Sequence, residues 1–357
     1  MNTLKKYFLA LVVLGLTACG EKVKTSKNLD NPETIQATVI TDTVRHDTDD
    51  PAIWINPADS SKSLIIGTDK DVDGALYAFD LAGKVVKRVD GIKRPNNVDI
   101  AYGITLNGKK LDIAVTTERE ANKIRIFTLP DLQPIDNGGI EVFAGETEKG
   151  PMGIALYTRP TDHAIFAIVG RKSGPKEGYL WQYELKDNGS GAVIGEMVRK
   201  FGKYSGKKEI EAIAVDNELG YIYYSDEQVG VRKYHADPAA KNNQELALFA
   251  QTGFSEDHEG IAIYKTGVKT GYILVSNQGS QTFMIYPREG NKSNPHQYEL
   301  LTEIPVSAIE TDGTDATNVN LGANYPDGIF VAMSTDKTFH FYDWRLIATK
   351  IKAAVKK

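Results

Sequence analysis

The chain has 357 residues, with 42 basic and 47 acidic side chains and a formal net charge of −5 at pH 7. Nucleic acid is therefore not an expected partner, because nucleic-acid binding requires a clustered excess of positive charge. The single cysteine excludes a disulfide within the chain. Helical periodicity is weak, and one helix is predicted, near the C-terminus around residues 344–351.

The N-terminal segment predicts export. Lys5 and Lys6 precede a short apolar run over residues 8–16, which is too short to span a bilayer and is typical of a secretory signal. The sequence Leu16-Thr-Ala-Cys19 resembles a bacterial lipobox, which implies cleavage before Cys19 and lipidation of its thiol. We expect a signal peptide over 1–18, a lipid-anchored tether over 19–35 and one folded domain over 36–357. The alternative is an ordinary signal peptide with a chance cysteine.

In the lipoprotein interpretation, the folded domain lies outside the cytoplasm, on a bacterial outer membrane or cell surface. The Cys19 lipid is then its sole contact with the membrane. Cleavage also removes two lysines and no acidic residue, which leaves 40 basic and 47 acidic side chains and a net charge of −7.

Six segments along the chain share one pattern, an apolar strand that ends in an aromatic residue. The aligned aromatics are 48, 56, 51, 52 and 56 residues apart, a period that fits a four-stranded propeller blade and exceeds that of a helical repeat. We therefore predict an all-β fold, a six-bladed β-propeller of four-stranded blades, as a single domain. We also expect the protein to be a monomer. The aligned residues are Phe79, Phe127, Tyr183, Tyr234, Tyr286 and Tyr342.

A third series of short strands precedes the others, and its first residue is polar or acidic in five of six repeats. Radial packing of the blades would bring these residues to one end of the central channel, where their oxygen atoms would form a ring. The six positions are Asp50, Asn97, Met152, Glu211, Glu259 and Asn318.

Carboxylates are densest at Asp47-Thr-Asp49-Asp50, where the first of these strands begins. Such a cluster is unfavourable unless it is solvated or neutralised, and Ca²⁺ takes six to eight oxygen ligands of this type. A solvated loop is the alternative. Calcium is the better interpretation because further oxygen donors recur at the same blade edge, at Asn97, Glu211, Asp257, Glu259 and Asp312.

Cations stand at the ends of neighbouring second strands. Considered one at a time, each is an ordinary surface charge, but their shared place in the repeat predicts that they meet the carboxylates at one end of the channel. Arginine and lysine there suit phosphate oxygens. The cations are Lys70, Arg119, Arg171, Lys172 and Lys176.

Several motifs resemble the β-propeller phytases, the calcium-dependent alkaline phytases. The motifs that begin at Asp49 and at Asn96 are highly specific in combination, and the similarity runs from about residue 40 to residue 350. The resemblance implies a six-bladed propeller, several calcium ions and hydrolysis of phosphomonoesters of inositol hexakisphosphate (phytate) by a phosphatase of the 3-phytase type. The motifs are Asp49-Asp50-Pro-Ala-Ile-Trp54, Asn96-Asn97-Val-Asp-Ile100, Asp257-His-Glu-Gly260, Glu310-Thr-Asp-Gly313 and Tyr325-Pro-Asp-Gly328.

The resemblance also implies roles for individual residues. Lys70 and Arg119 fall on phosphate-binding cations of the family, and a further family lysine falls on either Lys172 or Lys176. Attack by a calcium-bound water is the expected mechanism, with Lys70, Arg119, Glu211 and Glu227 as the catalytic groups. The implied calcium ligands are Asp49, Asp50, Asn97, Glu211, Glu227, Asp257 and Glu259, with Asp312 and Asn318 as further candidates.

Two departures from the family pattern stand out. Met152 replaces a tyrosine that contacts phosphate, and a thioether cannot donate a hydrogen bond. Asn318 replaces an aspartate ligand, which removes one negative charge from a calcium site. These changes leave open a propeller that binds phosphorylated ligands without catalysis. A calcium propeller of the lactonase type is a third possibility, but it has no use for Lys70 and Arg119.

Overall fold

The computed structural model of the protein describes residues 31–355. It contains six antiparallel sheets of four strands each, so the predicted six-bladed propeller is confirmed. The predicted signal peptide, Cys19 and most of the predicted tether lie outside the described residues. Within 31–355, no helix has both the length and the hydropathy that crossing a membrane requires.

The first half of the described chain builds three blades, each a meander running outward from the channel. A short strand, β1 (Val39–Ile40), precedes them. Blade 1 consists of β2 (Thr48–Trp54), β3 (Leu64–Asp69), β4 (Gly74–Phe79) and β5 (Val85–Ile92). Blade 2 consists of β6 (Pro95–Leu106), β7 (Lys109–Glu118), β8 (Lys123–Leu129) and β9 (Ile140–Glu141). Blade 3 consists of β10 (Pro151–Thr158), β11 (Ile165–Arg171), β12 (Glu177–Asp187) and β13 (Val193–Lys203).

The second half builds the other three blades and one helix. Blade 4 consists of β14 (Ile213–Asp216), β15 (Tyr221–Asp226), β16 (Gly230–His235) and β17 (Ala247–Phe249). Blade 5 consists of β18 (His258–Lys265), β19 (Gly271–Asn277), β20 (Thr282–Pro287) and β21 (Thr302–Pro305). Blade 6 consists of β22 (Thr314–Thr317), β23 (Ile329–Ser334), β24 (Thr338–Asp343) and β1. The helix is α1 (Trp344–Val355), as predicted.

Both ends of the folded chain contribute to blade 6. β1 pairs antiparallel with β24, with Val39 opposite Phe341, and so supplies the outermost strand of that blade. Just before it, Ile35 forms a parallel bridge to Val306 and is buried. The folded body therefore already includes the last residues of the predicted tether. This arrangement closes the ring by pairing residues that are about 300 positions apart.

The core is divided among the spaces between blades. Each hydrophobic cluster draws on strands of neighbouring blades, and the aligned aromatics of the sequence repeat are all buried within them. Inner strands approach one another so closely that some positions admit glycine alone. A Cβ on Gly153 would lie 2.0 Å from the carbonyl oxygen of Glu211 in the next blade. Burial on both faces of each sheet explains the long apolar runs in the sequence.

Aspartates on the inner strands tie neighbouring blades together. Asp99 of blade 2 accepts the backbone N–H of Leu156 in blade 3 at 2.6 Å, and Asp315 of blade 6 accepts that of Ile53 in blade 1 at 2.8 Å. These carboxylates border a channel cavity of about 390 Å³ along the axis. The inner strands therefore hold polar groups at fixed heights along the channel.

Candidate active site

Strand register identifies which residues occupy equivalent places in the six blades. In each blade, one residue pair between the inner strand and the second strand occupies the same place in the repeat, and we call it the matching pair. Examples are Ile213 opposite Tyr224 in blade 4 and Ile261 opposite Val275 in blade 5. The residue two positions before the first member of that pair comes to the mouth of the channel, and we call these six residues the inner ring. They are Asp49, Asn96, Met152, Glu211, Glu259 and Asp312.

A second set of equivalent residues follows the second strands, three positions after the matching pair, and we call it the outer ring. In every blade its backbone N–H donates to the carbonyl oxygen of a residue just before the inner strand, at 2.7–3.4 Å. These bonds fix all six positions against the channel mouth. The outer ring comprises Lys70, Arg119, Lys172, Glu227, Gln278 and Thr335.

The register corrects three places in the predicted series. Asp50 and Asn97 lie one residue beyond the inner ring and line the channel below it, where Asp50 accepts the Val98 N–H at 3.0 Å. Asn318 follows the end of β22 and lies six residues past Asp312, at the opposite end of the inner strand. The reason is that Asn318-Val-Asn is similar in sequence to Asn97-Val-Asp but does not occupy the equivalent strand position in its blade. Roles of these three residues as calcium ligands remain predictions.

Three predicted carboxylates meet at the channel mouth. Oxygen atoms of Glu211, Glu227 and Glu259 lie within 4.8 Å of one another, and all three side chains are buried. We call these three residues the acidic trio. Oε1 of Glu227 and Oε2 of Glu259 have no hydrogen-bond partner in the described chain. Buried oxygen atoms without partners are costly unless a cation or a proton neutralises them.

The protein environment makes protonation of these acids easier than usual. Burial, and then the charge of Glu211, raises the pKa of Glu227 to about 8. Burial, and then Asp49, raises that of Glu211 to about 7. The pKa of Glu259 is also well above its ordinary value, again chiefly through burial. Without a cation, the trio therefore holds protons near neutral pH.

Lys70 lies in a second group of acidic residues, formed by Asp49 and Asp312. Its ammonium pairs with Asp49 and lies 3.5 Å from Oδ2 of Asp312. The side chain is 14% exposed, so it is considerably more buried than an ordinary surface lysine. Asn96 links this group to the acidic trio, because its amide donates to Asp49 at 3.0 Å and also to Glu211. The Asp49 side and the trio are therefore one connected site.

Arg119 and Lys172 follow Lys70 in the outer ring and belong to blades 2 and 3. A Cβ on Gly150 would lie 3.7 Å from Cβ of Lys172 and 3.9 Å from Cγ of Arg119, so the two cations flank this glycine. Lys176 is exposed on the β11–β12 connection, four residues beyond the ring position. Of the two lysines that the sequence left open, Lys172 is the structural equivalent of Lys70 and Arg119.

Arg171 was predicted to lie with the other cations at the end of the channel, and the structure places it elsewhere. Its side chain is fully buried, and Nη1 lies 3.2 Å from Oε2 of Glu146 and 3.0 Å from the carbonyl oxygen of Glu148. The guanidinium also packs over the ring of Phe143 at 4.6 Å. These contacts stabilise the loop before β10 and leave Arg171 outside the candidate site.

Met152 occupies the inner-ring position of blade 3, equivalent to Glu211 and Glu259, as the sequence repeat predicted. It is 1% exposed, yet it belongs to none of the hydrophobic clusters of residues 31–355. Its carbonyl oxygen accepts the Thr117 hydroxyl at 2.8 Å. The strand position therefore lies at the channel mouth, while the side chain is covered by its neighbours.

Asp257 lies beside the trio and binds two side chains that sequence analysis did not single out. Its Oδ1 accepts the Gln228 amide at 3.1 Å, and its Oδ2 pairs with the ammonium of Lys208. The neighbouring His258 stacks on Phe254 and contacts the Ala250 carbonyl oxygen at 2.6 Å. The histidine is thus buried in packing and is not part of the site.

Comparison with known proteins identifies the relatives of this chain. A model of the phytase family matches residues 3–341. The chain belongs to the phytase family. The 3-phytase of Bacillus subtilis (strain 168) is 30% identical over 330 residues, which cover 84% of this chain and 80% of that protein. The resemblance to the β-propeller phytases is therefore confirmed.

Two residues of this phytase-family site, Gln278 and Lys208, were not singled out from the sequence, and Asn96 was named there only as part of a motif. Asn96 bridges two acidic side chains, and Gln278 donates to Oδ1 of Asp312 at 2.6 Å. Both hold ring positions, so counting from the second strands would have found them. Lys208 lies on the loop before β14, which has no counterpart in the repeat, and no sequence signal indicated it.

Proposed function

We propose that this protein is a calcium-dependent phytase that hydrolyses phosphomonoesters of inositol hexakisphosphate and releases inorganic phosphate. The observation that carries the proposal is the division of the outer ring. Blades 1 to 3 supply Lys70, Arg119 and Lys172, whereas blade 4 supplies Glu227 next to the other two carboxylates of the trio. A mouth that is cationic on one side and acidic on the other suits a phosphate ester bound together with a metal ion.

The donor set fits calcium. The trio, Asp257 and the Asp49–Asp312 pair offer carboxylate oxygens, the hard ligands that Ca²⁺ prefers. Partnerless oxygens on Glu227 and Glu259 support this assignment, because a buried carboxylate oxygen without a donor is costly unless a cation or a proton neutralises it, and a calcium ion can neutralise several at once. Asp50, Asn97 and Asn318 are proposed as further ligands along the channel. When bound, calcium would supply positive charge to the phosphoryl oxygens and acidify the attacking water.

The side chains of the chain itself position the substrate. Arg119 offers a planar fork for two phosphate oxygens, and Nε of Arg119 is buried without a partner in the described residues. Lys70 provides a compact charge held in place by Asp49. Lys172 pairs with Glu209 and provides a third positive charge next to Arg119. No covalent nucleophile is required, because a water molecule attacks the phosphorus and the alcohol leaves.

Substrate charge explains why cations alone are not enough. Each phosphate monoester carries about −1.5 to −2 near neutral pH, so six carry on the order of −9 to −12. Three side-chain cations cannot neutralise that charge. Phytate and lower inositol phosphates are therefore the proposed substrates, with calcium as a required cofactor and the protein as a monomer without nucleic-acid partners.

Phosphate release from sodium phytate tests the proposal directly. We expect release with added calcium and none in excess chelator. Absence of release in both conditions would favour a propeller that binds phosphorylated ligands without catalysis. A calcium propeller of the lactonase type is disfavoured because it leaves the aligned cations Lys70, Arg119 and Lys172 without a role.

We further propose that the protein is exported and anchored through lipidated Cys19. The lipobox-like Leu16-Thr-Ala-Cys19 supports this, as does the position of the chain's single cysteine within it. Incorporation of labelled palmitate by cells expressing the full chain tests the anchor, and Cys19→Ala should abolish it. Equal labelling of the Cys19→Ala variant would exclude this cysteine as the lipid attachment site.

A further inference from the structure

Lys208 contacts the acidic part of the site from outside the two rings. Its ammonium pairs with Oδ2 of Asp257 and lies 3.7 Å from Oε2 of Glu227. Both carboxylates are buried, with 9% and 2% of their side chains exposed, whereas 43% of the Lys208 side chain is exposed. A solvent-accessible cation therefore covers carboxylates that are themselves nearly inaccessible to water.

The backbone around Lys208 is fixed, so its side chain can move independently of the loop. The Tyr204 hydroxyl donates to the Lys208 carbonyl oxygen, and the Glu227 N–H donates to the Glu209 carbonyl oxygen at 3.2 Å. Rotation about the four-carbon stem of Lys208 is then enough to withdraw the ammonium. The acidic groups that it leaves would keep their positions.

The adjacent lysine has a different environment. The ammonium of Lys207 lies 3.4 Å from the Gln228 carbonyl oxygen, and Lys207 forms no ion pair with any residue of the range 31–355. Two consecutive lysines on one loop thus differ in a single respect that matters here. Lys208 reaches the carboxylates and Lys207 does not, which makes Lys207 a matched control.

Calcium and the Lys208 ammonium cannot use the same carboxylate oxygens at once. Two cations within a few ångströms repel strongly where burial lowers the effective dielectric constant. The ammonium already neutralises part of a cluster in which Glu227 and Glu259 have oxygens without partners. Entry of calcium would therefore displace the ammonium, which the exposed Lys208 side chain would then present to solvent.

We propose that Lys208 is a resident counter-ion that competes with calcium for Asp257 and Glu227, and that calcium frees its ammonium to bind a phosphate group of the substrate. This inference rests on the proposed calcium-dependent phytase function. It makes Lys208 a substrate-binding residue when calcium is present and a stabilising residue when it is absent. The calcium affinity of the protein is accordingly lower than the carboxylates alone would give.

The test compares Lys208→Gln with Lys207→Gln in the full chain, by calorimetric titration with calcium and by melting in excess chelator. We expect Lys208→Gln to bind calcium about tenfold more tightly, because a repulsive charge is removed. It should also melt several degrees lower in chelator, because the carboxylates lose their counter-ion. Lys207→Gln should match the parental protein in both measurements.

A second titration with inorganic phosphate tests the freed ammonium. Phosphate should tighten calcium binding severalfold in the parental protein, and less in Lys208→Gln, because binding at the two sites is coupled. Equal calcium affinities for Lys208→Gln and Lys207→Gln would overturn the competition, and equal phosphate effects would overturn the substrate role. If the parental protein bound no calcium at all, both this inference and the calcium dependence of the proposed function would be wrong.

Discussion

Two halves of the channel mouth share a backbone framework and differ in charge. In blades 1 to 3 the outer ring presents Lys70, Arg119 and Lys172, and in blades 4 to 6 it presents Glu227, Gln278 and Thr335. The same backbone hydrogen bond holds all six residues. The difference lies wholly in the side chains, so the propeller provides equivalent positions and the sequence determines the chemistry at each.

The inner ring shows a weaker form of the same division. Its acidic members are Glu211, Glu259, Asp312 and Asp49, whereas the blades between Asp49 and Glu211 carry Asn96 and Met152. The neutral positions therefore lie next to the cations of the outer ring. A phosphate group placed there would meet Arg119 and Lys172 without facing a carboxylate of the inner ring in the same blade. Separation of charge between the halves is thus a property of both rings.

Removing a charge from the acidic half should have the largest effect. Glu227→Gln keeps the shape of the side chain and deletes one negative charge of the trio, so we expect turnover of phytate to fall about 10²–10³-fold. Phosphate release with saturating calcium measures this loss. Glu196→Gln on the outer strand β13, where the side chain is 61% exposed, should retain parental activity. Parental activity in Glu227→Gln would remove this residue from the catalytic site.

The cationic half should be nearly as sensitive. Arg119→Ala should lower kcat/KM for phytate about 100-fold, and Arg119→Lys should recover part of it, because lysine retains the charge and loses the planar fork. Lys87→Ala, on the exposed face of β5, serves as a control. Full activity of Arg119→Ala would place phosphate binding elsewhere.

Lys70→Ala separates structure from function in the same half. We expect a loss of activity similar to that of Arg119→Ala together with a lower melting temperature, because Asp49 and Asp312 would lose their cation. Arg119 forms no such ion pair within residues 31–355, so its alanine variant should melt like the parental protein. Melting curves of the two variants, recorded side by side, test this difference. Identical melting temperatures would show that the Lys70 ion pairs do not stabilise the fold.

Metal removal should reveal a pH-dependent stability. Burial, the largest cause in each case, raises the pKa of Glu227 to about 8, of Glu211 to about 7 and of Asp49 and Asp312 to about 6, the last two against the opposing effect of the Lys70 charge. Because these folded-state values exceed the unfolded ones, the stability they contribute is complete at low pH and is lost as the pH rises through them. In chelator, the melting temperature should therefore fall from about pH 4, where the same carboxyls ionise in the unfolded chain, to about pH 8, the highest of the folded-state values.

Calcium should oppose that fall, because it replaces the protons and stabilises the native state by about 2.7 kcal/mol at one hundred times its dissociation constant. The gap between melting temperatures with calcium and with chelator should reach several degrees and widen with pH. Melting curves across this pH range provide the measurement. A chelated protein whose melting temperature rises with pH would contradict the raised pKa values.

The blades are predictable from the sequence because their aromatic residues repeat at nearly constant spacing. Asp50 and Asn97 were predicted one residue off the inner ring because each directly follows a residue of similar chemistry, Asp49 or Asn96, and composition does not show which of the two holds the ring position. The inner strands of blades 1, 2, 3 and 5 all carry a register shift at this point, so the strand pairing is needed to place the residue. Such bulges insert a residue without changing the hydrophobic pattern.

Two other features left no periodic signal. β1 has two residues, and its pairing with β24 depends on contacts between chain ends that a local pattern does not report. Lys208 lies on a loop, where its reach to Asp257 depends on the path of the backbone. The signal peptide and the lipid anchor at Cys19 remain predictions, because they lie outside residues 31–355.

Met152→Tyr should have the smallest effect and gives the finest test of the neutral positions. The strand register places Met152 in the inner ring next to Arg119 and Lys172, so a tyrosine hydroxyl there could donate to a bound phosphate. A net hydrogen bond to a charged group contributes about 1.5–3 kcal/mol, and we expect KM for phytate to fall about tenfold. Met152→Leu, which adds no donor and keeps a similar volume, is the control.

Burial of Met152 limits the improvement in KM that Met152→Tyr can give. With 1% of the residue exposed, the larger ring must displace neighbours, and overpacking of a core site typically costs about 1–3 kcal/mol of stability. Kinetics and melting curves together separate the two effects. A lower KM with a nearly unchanged melting temperature means that the ring reaches the phosphate, as the inner-ring position predicts. A destabilised variant with an unchanged KM would show that the side chain packs among the blades, and that the cationic half of the mouth binds phosphate without this position.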